Sequence, residues 1–237
     1  MGLPKMLSSG SALLVAPMAG GPSTPALVVN AWRAGHFAQL AAGYKTVAAM
    51  SDEIAQVRAA QVSVFGVNLF VPSRVSISDG AYRAYADRLR AIALDLGQEL
   101  PPLREDEDLW AEKIDALIAD PVPVVSFTFG LPGEDVFRRL RKAGTYTLQT
   151  VTPWEEVSAA WDAGARGVTL QAAAAGGHSA AWRGDAAPKD VPLTDLIRQV
   201  RAGWPRRGVI ATGGVSKPHQ MRDALSAGAD AVAVGTA

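Results

Sequence analysis

The sequence predicts an α/β protein folded as a (β/α)8 TIM barrel, and three observations carry that expectation. Eight short apolar runs are spread along 237 residues, most of them separated by a helix-like stretch. The runs are continuously apolar rather than alternating, as strands are when helices cover a parallel sheet. One junction also recurs three times, in "LRKAGTYTLQTV", "AWDAGARGVTLQA" and "LSAGADAVAVGTA". In each, an amphipathic stretch ends at Ala-Gly, where glycine closes a helix in the left-handed conformation, and an apolar run follows. The length suits one such barrel, so a single domain over 1–237 is expected. A doubly wound open sheet is the alternative that the same alternation allows.

Taken in order, the expected strands are 13–17, 36–41, 64–69, 124–129, 145–150, 167–171, 208–212 and 231–235. Helices are expected over 52–60, 81–96, 106–119, 134–142, 154–162, 193–201 and 218–227. Val136, Phe137, Leu140 and Ala143 share one helical face, as do Trp154, Val157 and Trp161. The long connection "DLGQELPPLREDEDL" carries prolines and charges and reads as a solvated excursion rather than a domain boundary. The last strand ends at the chain terminus, so a complete barrel would need a further helix to cover it.

Composition narrows the function classes. Lys plus Arg balances Asp plus Glu at 23 each, with no basic stripe, which argues against a nucleic-acid partner. The absence of cysteine excludes disulfides, thiolate nucleophiles, iron–sulfur clusters and cysteine-ligated zinc. The apolar run "ALLVAPMAG" is short and broken by Pro17, unlike a signal peptide, and no window approaches the ~20 apolar residues of a membrane span. A cytoplasmic protein without a membrane partner or a metal is expected.

In such a barrel, chemistry gathers at the C-terminal ends of the strands. There the chain places "APMAGG", "VNLFVPS", "SFTFGLPG", "LQTVTP", "LQAAAAGGHSA", "IATGGVSKP" and "AVGTA". These segments are rich in glycine, amides and hydroxyls and hold no paired charges. They suit a planar, hydrogen-bonding ligand with a phosphate. Gly213-Gly214 and Gly235-Thr236 follow the seventh and eighth strands, where barrels commonly hold phosphate on backbone N–H groups. Tight strand-to-helix turns would also account for either glycine pair alone. Asn68 could cap its own loop, and Met18 could fill a packing gap. Gln171 ends an otherwise apolar strand and needs partners, from a ligand or from neighbouring main chain. Of three histidines, His178 alone lies at an expected strand end on this rim. An imidazole is equally accessible charged or neutral near neutral pH. Gly176 and Gly177 before it would permit a turn that aims the ring inward. His219 opens a helix and His36 begins a strand at the opposite end.

The ordered set "APMAGG", "AAGYKT", "FGVNLFVP", "VSFTFGLP", "QAAAAGGH", "ATGGV" and "GADAVAVGTA" resembles the nitronate monooxygenase family, over nearly the whole chain from Leu13. The resemblance implies an FMN-dependent barrel that oxidises alkyl nitronates or nitroalkanes with dioxygen, yielding a carbonyl compound and nitrite. It implies that the flavin lies against the backbone of Pro17, Met18 and Ala19, with contacts from Asn68, Gln171, Gly176 and Gly213. It implies a phosphate segment of Ala233, Val234, Gly235 and Thr236, and His178 as the catalytic base or nitronate-positioning group. It leaves room for a homodimer. The chain departs from the family pattern at Ala174, in place of a glutamate, and at Ser179-Ala180, in place of Arg-Gly. It departs also at Thr128, in place of a histidine, and Ala233, in place of a glutamine. Family members continue past the "GTA" segment, so the barrel is expected to lack a C-terminal segment. An FMN-dependent enoyl-ACP reductase and a non-catalytic flavin-binding remnant are the alternative functions.

Overall fold

A computed structural model describes residues 2–8, 11–73, 76–183 and 189–235. Its strands are β1 (Leu13–Val15), β2 (Gln39–Ala41), β3 (Gly66–Phe70), β4 (Val124–Thr128), β5 (Tyr146–Val151), β6 (Gly167–Gln171), β7 (Gly208–Thr212) and β8 (Ala231–Val234). They form one parallel sheet in the order β1-β8-β7-β6-β5-β4-β3-β2. The first strand pairs with the last, and a single bridge between Leu14 and Phe37 brings β1 against the segment entering β2. There the Val15 amide donates to the Phe37 carbonyl at 2.9 Å. The sheet is therefore a nearly closed (β/α)8 barrel and not an open doubly wound sheet.

The helices are α1 (Lys5–Ser8), α2 (Pro25–Arg33), α3 (Val47–Ala59), α4 (Asp79–Asp95), α5 (Trp110–Ala119), α6 (Glu134–Lys142), α7 (Trp154–Asp162), α8 (Leu193–Gly203) and α9 (Pro218–Ser226). Three begin on hydroxyl caps, with Thr24, Thr46 and Ser78 each accepting a main-chain N–H three residues on at 3.2 Å. Two of these caps lie where the sequence reading placed no helix start. Thr24 followed by Pro25 opens the unexpected α2, and Thr46 moves the start of α3 back from 52. Conversely, α5 starts only at Trp110, because Asp108 and Leu109 take positive φ values of 54° and 52°. The 98–109 excursion is largely exposed, as expected.

Both faces of the sheet are buried, and they are packed differently. Outward-facing Val67, Leu69, Val125, Phe127, Val168, Leu170, Val209 and Val232 meet the helices. Inward-facing Leu14, Val124, Tyr146, Leu148, Ile210 and Ala231 fill the lower interior, where Leu7 of α1 plugs the base. One helix stands apart from this scheme. In α4 only Ala93 is buried, while Tyr85, Ile92 and Leu94 are 61%, 58% and 71% exposed. The place on the barrel after β3 falls to α5, through buried Lys113, Ile114 and Leu117.

This division is testable by paired truncations. Leu148→Ala, in the inner core, should cost about 2–5 kcal/mol. Leu94→Ala, on α4, should stay within about 0.5 kcal/mol. Urea-unfolding midpoints of the two variants check both.

Candidate active site

Along each strand, alternate residues face the interior, and near the C-terminal ends the inward residues change from apolar to polar. Val124 is followed inward by Ser126 and Thr128, Leu148 by Thr150, and Ile210 by Thr212. Ser126, Thr128, Thr150 and Thr212, together with Asn68, Thr169 and Gln171, line a cavity of about 500 Å³ at the barrel mouth. That volume lies within the range of small-molecule sites.

The floor is a connected polar network. The Ser126 hydroxyl donates to Gln39 Oε1 at 2.7 Å and accepts from Asn68 Nδ2 at 2.8 Å. Asn68 Nδ2 also donates to Thr128 Oγ1 at 3.0 Å, and the Thr128 and Thr150 hydroxyls lie 3.4 Å apart. Gln39, Asn68, Ser126 and Thr150 are all buried. Both amide hydrogens of Asn68 are thus committed inside the barrel. Its carbonyl oxygen is the group left to meet a ligand, so Asn68 can accept but not donate.

One wall is aromatic. Tyr44, Phe70, Phe129 and His178 follow one another edge to face, with centroid separations of 5.3, 4.7 and 6.2 Å. Phe129 holds this position with φ at 72°, a conformation costly for a bulky side chain. Tyr44 takes φ at 65°, and its loop is tied from below. The Tyr44 N–H donates to Asp108 Oδ1 at 2.9 Å. Fully buried Lys113 pairs with the same oxygen at 2.7 Å and donates to the Ala42 carbonyl at 2.9 Å.

The expected site residues Pro17, Met18, Ala19, Asn68, Gln171, Gly176, Gly177, His178, Gly213, Gly214, Ala233 and Gly235 all line the one cavity. The side chain of Val234 does not; it packs outward against the helix layer, and its carbonyl accepts from the Ala16 N–H. Thr236 lies outside the described residues. The Met18 N–H donates to Ser23 Oγ at 2.8 Å, so the first-strand segment would meet a ligand through other atoms than that one.

Two glycine arguments change. Gly213 has φ at 97°, and a Cβ there would stand 2.7 Å from the Ala172 carbonyl oxygen. The close approach is to the protein's own main chain, and it accounts for that glycine before any ligand is considered. Gly176 and Gly177 show the reverse. Neither has a positive φ, and a Cβ on either would meet nothing within 4 Å. The chain bends at both, but the bend requires no glycine-only conformation; what the two glycines do is keep that side of the cavity free of side chains.

Residues that sequence reasoning missed are Gln39, Tyr44, Phe70, Ser126, Phe129, Thr150 and Thr169, while Thr128 was marked only as a departure from the family pattern. A signal was present for most of them. A hydroxyl or amide at every second position near the end of an apolar run is what an inward-facing polar rim requires. Nothing local marked Tyr44 or Phe129, whose places depend on distant partners.

Glu156, on the first turn of α7, braces the neighbouring loop. It accepts from the Thr152 N–H at 2.9 Å and from the Trp182 N–H at 3.3 Å. Burial pushes its carboxyl above the usual glutamate range, with these hydrogen bonds pulling the other way.

The fold and site define a class: a parallel (β/α)8 barrel with a neutral, hydrogen-bonding mouth and one imidazole on its rim. More narrowly, the chain belongs to the nitronate monooxygenase family, whose model matches residues 5–237. It is 32% identical over 240 residues to a probable nitronate monooxygenase of Staphylococcus aureus strain MSSA476, covering 99% of this chain and 66% of that protein. A crystal structure of nitroalkane oxidase from Streptomyces ansochromogenes superposes with a TM-score of 0.87 at 41% identity, covering 95% of this chain and 65% of that one. FabK from Thermotoga maritima superposes at 0.72 with 23% identity, over 98% of this chain and 60% of that one, and shares the fold. The chain spans about two thirds of the length of the first two relatives. Among the described residues no helix is long and apolar enough to cross a membrane.

The raised Glu156 carboxyl has a definite sign in stability. The folded state holds its proton to higher pH than the unfolded chain, so its favourable contribution is complete below the ordinary glutamate pKa. It is lost as pH rises through the raised folded value. Against Glu156→Gln, wild-type stability should therefore decline as pH rises from about 4 across the carboxylate range. Urea titrations at stepped pH measure this; a flat difference would contradict it.

Proposed function

We propose that the chain is an FMN-binding barrel domain of an oxidoreductase that oxidises alkyl nitronates, or their parent nitroalkanes, with dioxygen to a carbonyl compound and nitrite. The observation that carries this reading is the position of His178. It is an exposed imidazole on a cavity whose described lining otherwise offers one ionisable side chain, Tyr44.

The donor set fits FMN. The backbone N–H groups at Gly213, Gly214 and Gly235, at the ends of β7 and β8, suit a phosphate. The Asn68 carbonyl offers an acceptor to a ring N–H, and the hydroxyls of Thr128, Thr150 and Thr169 offer reversible donors and acceptors. Bound FMN would supply the electron-accepting and oxygen chemistry. The protein's part is to bind, orient and handle one proton. An imidazole nitrogen of His178 accepts the acidic proton from the carbon bearing a nitro group, or, when protonated, holds a preformed nitronate by charge. Phe129 and Phe70 present an apolar surface beside it. No Lys or Arg lines the cavity among the described residues, so a nitronate with an uncharged tail suits it better than one bearing a carboxylate.

Mixing the flavin-loaded protein with an alkyl nitronate without oxygen should bleach the visible flavin band, while NADH should not. Bleaching by NADH alone would favour an enoyl-reductase chemistry, and bleaching by neither would favour a binding remnant. His178→Ala should keep FMN and lose about 10²–10⁴-fold in turnover of neutral nitroalkanes, with a smaller loss on preformed nitronates. Equal losses on both substrates would reject the base role.

A further inference from the structure

His178 lies in irregular chain between β6 and α8, so something other than secondary structure must fix it. The two glycines before it do not, since neither takes a positive φ. What touches the stretch is a set of groups from neighbouring elements. The Ala180 N–H donates to Gln171 Oε1 at 2.7 Å, and Gln171 Nε2 donates to the His178 carbonyl at 3.3 Å. Two residues further on, the Trp182 N–H donates to Glu156, and its indole N–H donates to the Thr150 carbonyl at 2.9 Å. Phe129 meets the His178 ring from the other side, edge to face.

The amide orientation of Gln171 follows from chemistry. A main-chain N–H can only donate and a carbonyl can only accept, so Oε1 must face Ala180 and Nε2 must face His178. One side chain at the end of β6 therefore offers an acceptor and a donor to residues two apart, as the edge of another strand would. Ala180 is 1% exposed, so losing its acceptor would leave a nearly buried residue's N–H unpaired.

We infer that Gln171 is a positioning residue for His178, holding the main chain that carries the imidazole with one N–H and one lone pair of its amide. The inference rests on His178 as the reactive group of the proposed function. Glutamate would keep the acceptor for Ala180 but set a carboxylate against the His178 carbonyl, whereas methionine would supply neither group.

Amide hydrogen exchange on the flavin-free protein tests the tether directly. In Gln171→Met, exchange at Ala180 should quicken by about tenfold or more. In Gln171→Glu it should stay close to wild type, a rescue that general loosening of the loop would not give. With FMN loaded to saturation, Gln171→Met should lose about tenfold in kcat on a neutral nitroalkane, with KM little changed. Unchanged exchange at Ala180 in Gln171→Met would overturn the inference. So would an intact kcat in the fully FMN-loaded Gln171→Met enzyme, whatever its flavin affinity. If wild type turns over neither nitroalkane nor nitronate, the proposed function fails by itself and the exchange result still decides the tether.

Discussion

The constraint on which this molecule depends is that a closed parallel barrel buries both faces of every strand. Each strand residue must then satisfy either the helix layer or the barrel interior, and the two alternate. Lower in the barrel the interior answer is apolar, with Val124, Leu148 and Ile210 packed around Leu7. Near the C-terminal ends it becomes Ser126, Thr128, Thr150 and Thr212. Polar groups in such a position need partners, and much of the rim supplies its own, through the chain of bonds from Gln39 by way of Ser126 and Asn68 to Thr128. What this internal pairing leaves over, chiefly the Asn68 carbonyl and the strand-end amides, is what a ligand can use.

Around that rim, loops are held by side chains borrowed from elsewhere in the fold. Lys113 on α5 and Asp108 fasten the Tyr44 loop, although Lys113 is fully buried. Its charge is tolerable because a carboxylate and a carbonyl both meet the ammonium. Gln171 and Glu156 fasten the stretch after β6 in the same manner. Phe129 adds backbone strain to the set, maintained by its ring contacts with Phe70 and His178. A cavity built on such ties keeps its shape without relying on the loops' own conformational preferences.

Much of this was legible in the sequence. The strands β6 and β7 and the helices α6 and α7 fall where apolar runs and Ala-Gly junctions placed them, since those signals are local and the tertiary structure agrees with them. The helix α2 was missed because "AGGPSTP" reads as loop, although Thr24-Pro25 is a proper helix start. The exposure of α4 could not be read, because periodicity shows that a helix has faces and not what lies against them. At the site, glycines and the lone rim histidine stood out, while Ser126, Thr128 and Thr150 lay in segments noted only as rich in hydroxyls, with no sign of which of them face inward. Gly213 and Gln171 each make a main-chain contact that no local signal showed, because its partners are distant in the sequence or follow a loop, at Ala172 and at His178 and Ala180.

Titration of the purified chain with FMN, followed by quenching of flavin fluorescence, tests most directly whether the neutral rim is a flavin site. The account requires saturation at one FMN per chain, with binding weakened when Asn68 is replaced by leucine, which removes the rim's free carbonyl. Absence of saturable binding, or binding indifferent to Asn68, would contradict it.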